Sequence, residues 1–227
     1  MGIDLESMKS KITNKTKVIF IANPGNPTGT IVPINEIENF IKKISKKIII
    51  VIDEAYYEYS SHYGFKSAVN LLAKYSNIVV TRSFSKIYAL AGIRVGYGLA
   101  SKDIISEFDK IRQPFNVNYI AQKMAVVSLE DEGYLKKSLA LNDMGMQFLK
   151  LELNKLGIAY LNTYTNFITI YLGSKTQEIY ELLLSEGMIL RSLENYGLPG
   201  YLRVTIGTKT ENNIFIRKLK KSLKGLK

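Results

Sequence analysis

Lys86 is the residue whose type and surroundings point most directly to chemistry. It lies in the segment TRSFSKIYALAGIR, residues 81–94, after two serines and before an arginine. A lysine that sheds its proton can condense with an aldehyde. The hydroxyls of Ser83 and Ser85 and the guanidinium of Arg94 are donors suited to a phosphate. A lysine beside a phosphate clamp indicates a site for pyridoxal phosphate.

Two polar segments upstream of Lys86 follow apolar runs of strand length. The segment NPGNPTG, residues 23–29, follows VIFIA, and DEAY, residues 53–56, follows IIIVI. Ligands of open parallel sheets bind beyond the carboxyl ends of the strands. We therefore expect these segments and the lysine segment at one edge of a sheet.

The elements that must position these residues follow from the apolar pattern. Continuous apolar strands separated by helices predict an α/β fold with a mostly parallel sheet covered by helices on both faces. Further expected elements are a helix over 68–75, a strand over 93–100 that carries Arg94, a long helix over about 133–156 and a last helix over about 210–226. We expect residues 1–132 to form a partial large cofactor-binding domain, and 133–227 a linking helix and a small C-terminal α+β domain.

The motifs, in this order, resemble those of the fold-type I pyridoxal-phosphate aminotransferases. The runs SAVN (67–70) and RQPFNVN (112–118), together with the lysine segment, are most similar to the histidinol-phosphate aminotransferase branch. Gly25 departs from that branch, which often has asparagine there, but the cofactor ligand Asn26 is retained.

The resemblance implies a role for each residue at the cofactor. Lys86 would form the Schiff base and then move the substrate proton, and Asp53 would pair with the ring nitrogen. Asn26 and Tyr56 would hydrogen-bond the ring oxygen O3′, and Ser83, Ser85 and Arg94 would hold the phosphate. Simpler roles stay open: Asp53 as a cap, Asn26 as a turn residue, Tyr56 as a packed ring and the serines as local backbone partners.

The resemblance also implies a substrate with an anionic end. Arg203 matches the family position that grips this end, and Arg191 is a second candidate, although surface salt bridges would also explain both. The implied reaction transfers an amino group between a small phosphorylated amine, histidinol phosphate, and a 2-oxo acid, 2-oxoglutarate. The alternatives are a threonine-phosphate decarboxylase-like enzyme and a non-catalytic remnant of an aminotransferase.

Composition limits the other classes of function. The net charge is +11, but the lysines cluster on one helical face near residues 42–47 and toward Lys227, so we interpret them as solvated rather than as a nucleic-acid surface. The chain has no cysteine and one histidine, His62, in a polar loop, so thiolate and histidine metal sites are excluded. We expect a cytoplasmic homodimer without a membrane segment.

Family members carry a long N-terminal portion before the first strand found here. We expect that the aromatic residue stacking on the cofactor, a phosphate-binding helix N-terminus and residues donated to a partner subunit lie in that portion. Without two or three such contacts, cofactor binding would weaken by at least about a hundredfold. The expectation for these residues alone is a folded, self-associating chain with weak cofactor binding and little or no activity.

Overall fold

The computed structural model describes residues 1–225, which divide into two units with separate cores. The N-terminal unit comprises Gly2–Gly25 and Ile31–Leu135. The C-terminal unit comprises Asn26–Thr30 and the chain from Lys136 onward. A short piece of the segment NPGNPTG therefore packs with residues more than a hundred positions away in the sequence.

The N-terminal unit is built on a sheet of β1 (Val18–Ala22), β2 (Ile49–Asp53), β3 (Ile78–Ser83) and β4 (Gly96–Ala100), in that order. The first three strands are parallel and β4 is antiparallel to β3. Its helices are α1 (Leu5–Ser10), α2 (Ile34–Lys42), α3 (Tyr57–Ser61), α4 (Lys102–Ile111) and α5 (Tyr119–Glu130). The parallel strands β1, β2 and β3 are rich in β-branched residues, which suit a pleated surface. The unit is thus a mostly parallel α/β sheet.

The two faces of this sheet differ in burial. Ile19 and Ile21 of β1 point into a core formed with α2, whereas Val18 and Phe20 are exposed, Phe20 by 71%. Within residues 1–225, an open apolar groove of about 970 Å³ runs along this second face beside α4. The expected mostly parallel α/β sheet with helices is confirmed. On the second face α4 lies beside the sheet, and strand alternation places Val18 and Phe20 there, where they remain exposed.

The C-terminal unit contains a long helix and a small antiparallel sheet. Its helices are α6 (Glu132–Lys155, of which residues from 136 belong to this unit), α7 (Thr176–Ser185) and α8 (Lys209–Gly225). Its strands β5 (Phe167–Tyr171), β6 (Arg191–Ser192) and β7 (Tyr201–Thr205) lie in the order β5-β7-β6. Leu149, Leu153, Ile168, Ile170 and Leu183 form the centre of its core.

Some expected elements differ from those observed. Residues 68–75 do not form an α-helix but a 3-10 turn over Ala68–Leu71, because short helices are marginal and tertiary contacts decide their form. The last helix begins at Lys209, and residues 226 and 227 of the expected C-terminal segment lie outside the described residues. Among the described helices, none is both long and apolar enough to cross a membrane.

Candidate functional site

The ends of β2 and β3 bring Asp53 and the lysine segment together in the N-terminal unit. Asp53 is the last residue of β2 and is in register with Thr81 of β3. The Glu54 amide donates to the Thr81 carbonyl at 2.8 Å, and the Asn23 amide donates to the Asp53 carbonyl at 2.8 Å. Asn23, the strand end at Asp53 and the start of the lysine segment therefore lie at one edge of the sheet, as parallel strands require, whereas Asn26 belongs to the C-terminal unit.

Lys86 lies on a loop that two buried side chains anchor. Phe84 and Ile87 are buried, and the Leu90 amide donates to the Phe84 carbonyl at 2.9 Å. Lys86 Nζ lies 5.3 Å from the centroid of the Tyr56 ring, and Tyr56 is itself buried. The loop thus holds a partly exposed amine beside an aromatic ring, which suits an amine that must react.

Asp53 is open to solvent although it ends a buried strand. Its Oδ1 accepts a hydrogen bond from the Ala55 amide at 3.0 Å, which is the local capping contact expected of a strand-end aspartate. That contact leaves the carboxylate exposed at the edge where the lysine loop lies. The residue can cap the turn and still offer its negative charge to a bound cation.

The phosphate candidates lie on both sides of one backbone hydrogen bond. The Phe84 amide donates to the Val95 carbonyl at 3.3 Å, so Ser83 and Ser85 flank one end of this bond and Arg94 lies next to the other. Ser83 Oγ accepts from the Ser85 amide at 3.0 Å, the local backbone contact considered for these serines. A hydroxyl that accepts there keeps its own proton available for an anion.

Arg94 does not lie on a strand, contrary to the expectation for residues 93–100. It follows a 3-10 turn over Ala91–Ile93 and adopts a left-handed conformation with φ of 59°. The side chain is exposed and its Nη1 donates to the Ala91 carbonyl at 2.7 Å. A non-glycine residue rarely adopts this conformation, and such residues cluster at ligand clamps.

A largely buried ion pair, which the sequence did not predict, adjoins these residues in the sequence. Arg82 Nη2 and Nε donate to Glu54 Oε2 at 3.0 and 3.1 Å, and the guanidinium carbon lies 3.8 Å from the centroid of the Tyr57 ring. Burial opposes the charge of Arg82, but the charge and hydrogen bonds of Glu54 outweigh it and raise the pKa of the guanidinium. Spacing alone carries no signal for this pair, since the residues are 28 positions apart.

Asn26, Arg191 and Arg203 belong to the C-terminal unit. Arg203 Nη1 donates to Asn26 Oδ1, and the Arg203 guanidinium lies 4.9 Å from the Phe167 ring centroid. This bond occupies one lone pair of Asn26 Oδ1 and leaves the two hydrogens of the side-chain amide as donors. The contact joins one proposed cofactor residue to the proposed anion-binding arginine.

Arg191 and Arg203 face each other across two antiparallel strands. They are register partners on β6 and β7, which places both side chains on the same face of the small sheet. The Arg191 guanidinium also lies 6.0 Å from the ring centroid of Tyr196. Like charges directly opposite each other destabilise a sheet, so an anion between the two guanidinium groups would relieve a repulsion built into the strands.

Two of the lysines near the C terminus have acidic partners. Lys220 Nζ lies 2.6 Å from Glu152 Oε2, and Lys221 Nζ lies 2.7 Å from Glu186 Oε1. In the N-terminal unit, Lys43 Nζ similarly lies 2.9 Å from Glu6 Oε1.

Comparison with known proteins gives a consistent result. The family model for aminotransferase class I and II matches residues 1–219. A histidinol-phosphate aminotransferase of Idiomarina loihiensis is 44% identical over 97% of the chain and 60% of its own length. The crystal structure of the histidinol-phosphate aminotransferase from Clostridium acetobutylicum is similar with a TM-score of 0.90 and 31% identity, over 97% of this chain and 68% of that one.

A structure of histidinol-phosphate aminotransferase from Sinorhizobium meliloti in complex with pyridoxal-5′-phosphate is also similar. It has a TM-score of 0.87 and 26% identity, covering 99% of this chain and 62% of that one. The chain spans about 60% of the length of the curated relatives it matches.

Proposed function

The chain belongs to the class I and II aminotransferases, and on that premise we propose that it binds pyridoxal phosphate at Lys86 and serves a transamination of a phosphorylated amine. The proposed amino donor is histidinol phosphate and the proposed acceptor is 2-oxoglutarate. Relatives named histidinol-phosphate aminotransferase, 44% and 41% identical over 97% and 98% of the chain, support this choice.

The residues of the N-terminal unit suit pyridoxal phosphate. When bound, this cofactor supplies an aldehyde that reacts with amines and a ring that accepts the electrons released from the substrate. Lys86 offers the amine, and Asp53 offers an exposed carboxylate at the neighbouring strand end to hold a proton on the ring nitrogen. The Tyr56 hydroxyl, Ser83, Ser85 and Arg94 offer donors for the ring oxygen and the phosphate.

Lys86 would also carry the proton in the reaction. Lys86 is partly exposed and carries its amine on a four-carbon stem with several rotatable bonds, while the buried Phe84 and Ile87 anchor its loop. An amine held in this way can take a proton from the substrate α-carbon and deliver it to the neighbouring cofactor atom. The Tyr56 ring 5.3 Å away limits where the amine can move.

The pairing of Arg191 with Arg203 is the observation that supports a phosphorylated substrate. Two guanidinium groups on adjacent strands and on one face match an anion of high charge such as a phosphate, which arginine binds with paired hydrogen bonds. A carboxylate, by contrast, needs only one guanidinium group to form two parallel hydrogen bonds. The pair therefore favours a substrate whose terminal group is a phosphate monoester.

A substrate panel tests the proposal. Because the chain spans about 60% of the length of its relatives, it would be complemented with the N-terminal portion of one of them and supplied with pyridoxal phosphate and 2-oxoglutarate. Glutamate would then be measured with histidinol phosphate, with histidinol and with aspartate. We expect the best kcat/KM with histidinol phosphate and a loss of about tenfold or more in Arg191→Gln, whereas Arg217→Gln on the exposed side of α8 leaves the value unchanged. Release of CO2 from threonine phosphate without glutamate formation would contradict the proposal and favour a decarboxylase.

A further inference from the structure

We infer that the buried pair Glu54–Arg82 is a positioning device, which fixes the strand end carrying Asp53 against the loop carrying Lys86. The inference rests on the proposed function, because it concerns how the proposed cofactor residues are held. Glu54 is 3% exposed, and each member of the pair adjoins a proposed site residue in the sequence: Glu54 follows Asp53, and Arg82 precedes Ser83.

The network leaves the Glu54 carboxylate no free oxygen. Its Oε2 accepts from Arg82 and also from Ser67 Oγ at 2.7 Å, while its Oε1 accepts from the Ala68 amide at 2.6 Å. Ser67 Oγ in turn accepts from Arg82 Nη2 at 2.9 Å. Three segments of the chain are thereby tied at a single carboxylate: the end of β2, the end of β3 and the 3-10 turn.

Strand geometry explains why this tie would act on the site. Successive side chains of a strand point to opposite faces. The hydrogen bonds that hold Arg82 on one face therefore also fix the backbone of its neighbour Ser83, whose side chain points to the other face. The Tyr57 ring covers the guanidinium at 3.8 Å and shields the ion pair from water. A shift of β2 relative to β3 would separate Asp53 from the Lys86 loop. The same shift would break the hydrogen bonds between Glu54 and Arg82, so these bonds oppose it.

Energetics favour a role in geometry over one in stability. Taking two charges out of water costs roughly what their attraction returns, and a buried pair can often be exchanged for apolar groups without loss of stability. The best-attested use of such a pair is to specify register. Glu54 and Arg82 lie where register between two strands decides the placement of two proposed cofactor residues.

The test compares a double variant with a control at the other end of the same strands. Glu54→Leu/Arg82→Met removes both charges, so neither is left buried alone. In the control Asn77→Ala, the lost contact is the bond from Asn77 Nδ2 to the Ile48 carbonyl at 2.8 Å, a buried tie between the starts of β2 and β3. Both variants alter packing between the two strands, but only the first lies beside Asp53 and Ser83.

Two readouts separate positioning from stability. In the cofactor-free chain, we expect amide hydrogen exchange of residues 83–90 to become at least about tenfold faster in the double variant and to stay at the wild-type rate in Asn77→Ala. With pyridoxal phosphate, we expect the double variant to bind at least about tenfold more weakly and to shift the pH at which the bound cofactor changes its absorbance. Its melting temperature should fall, because the Ala68 amide and the Ser67 hydroxyl lose their acceptor, so exchange in each variant is measured at the same interval below its own melting temperature.

Each outcome decides the inference. Wild-type exchange in residues 83–90 of the double variant would overturn it, as would equal acceleration in Asn77→Ala, which would reduce the pair to ordinary packing. If the wild-type chain takes up no pyridoxal phosphate at all, the proposed function fails, and the exchange rates still decide whether Glu54 and Arg82 hold the loop. If the double variant does not fold, Arg82→Lys provides the same comparison, because it keeps the charge and loses the fork.

Discussion

Single side chains at the ends of β2 and β3 set the chemistry available to the N-terminal unit. Tyr56 is buried with its ring 5.3 Å from Lys86 Nζ, whereas Asp53 is open to solvent. A cofactor that reaches both must therefore enter from the solvent side of the sheet edge. The buried ring provides a wall, and the exposed carboxylate provides the charge.

Asp53→Asn should reduce catalysis far more than cofactor binding. The amide cannot hold a proton on the cofactor ring nitrogen by charge, so we expect kcat to fall by about a hundredfold or more, as when a preorganised electrostatic contact is removed. The dissociation constant for pyridoxal phosphate should change less than about tenfold, because the phosphate donors remain. Steady-state kinetics and a cofactor titration, both on the chain complemented with the N-terminal portion of a relative, measure the two effects, with Asp103→Asn on α4 as the control. Equal turnover in wild type and Asp53→Asn would contradict the role.

Glu58→Gln should make the chain more stable at neutral pH. Burial raises the pKa of Glu58 in the folded state. Above about pH 4.3, the ordinary pKa of a glutamate in the unfolded chain, the folded state therefore binds more protons than the unfolded state. The stability of the fold falls as pH rises from there through the folded-state pKa. The glutamine removes this loss. We expect the melting temperature of the variant to exceed that of the wild type at pH 7 and to match it at pH 4.

Glu152→Gln provides the opposite case. Hydrogen bonds from Lys155 and Lys220 lower the pKa of Glu152 in the folded state. Glu152 therefore stabilises the fold above its unfolded-state pKa, and this stabilisation is lost as pH falls through its folded-state pKa. The variant should melt slightly below the wild type at pH 7 and converge with it at low pH. The same sign of change in Glu58→Gln and Glu152→Gln at pH 7 would contradict this electrostatic assignment.

At the scale of elements, the segment that carries Asn26 is built into the C-terminal unit by close backbone approach. Gly29 has φ of 72°, and a Cβ there would lie 1.9 Å from Thr163 Oγ1. The Tyr164 amide donates to the Gly29 carbonyl at 2.9 Å, and Thr169 Oγ1 donates to the Pro27 carbonyl at 2.8 Å. The turn therefore needs glycine for its conformation and also for space.

Gly29→Ala should destabilise the chain more than Gly187→Ala does. Both glycines have positive φ, but nothing lies within 4 Å of a Cβ at Gly187, so the comparison isolates the clash with Thr163. We expect the difference to be about 1–3 kcal/mol, the usual cost of overpacking. Urea denaturation of both variants measures it. Equal free energies of unfolding would show that the segment can move away from Thr163 at no cost.

The sequence predicts the regular elements better than the turns that hold the site. β1, β2 and β3 follow from their apolar runs, but α5 was missed, because apolar residues such as Ile120, Val126 and Val127 are exposed on it and blur the helical period. The left-handed Arg94 could not be read from its residue type. The bond between Arg203 and Asn26 could not be read from spacing either, since 177 positions separate them.

At the scale of the whole molecule, each unit has its own core, and the N-terminal unit leaves an apolar sheet face open among the described residues. Phe20 is 71% exposed and Val18 is 43% exposed, beside the groove that also borders α4. Apolar patches of this kind favour association. Lys43, Lys220 and Lys221, by contrast, each form an ion pair with a glutamate.

Phe20→Gln should weaken self-association of the chain. We expect the wild type to sediment with a concentration-dependent increase in mass and the variant to remain closer to the monomer mass. Ile189→Gln is the matched control, because Ile189 is 80% exposed and lies in the other unit, away from the groove. An identical reduction in both variants would show that general surface polarity, and not the sheet face, governs association.

The most direct measurement for the molecule as a whole is the site of covalent attachment of pyridoxal phosphate. The purified chain would be incubated with excess cofactor, reduced with borohydride and mapped by peptide mass spectrometry. We expect the reduced adduct on Lys86, which follows Ser83 and Ser85 and lies beside Tyr56, even if binding is weak. An adduct on another lysine, with Lys86 unmodified, would contradict the assignment of this edge of the sheet as the cofactor site.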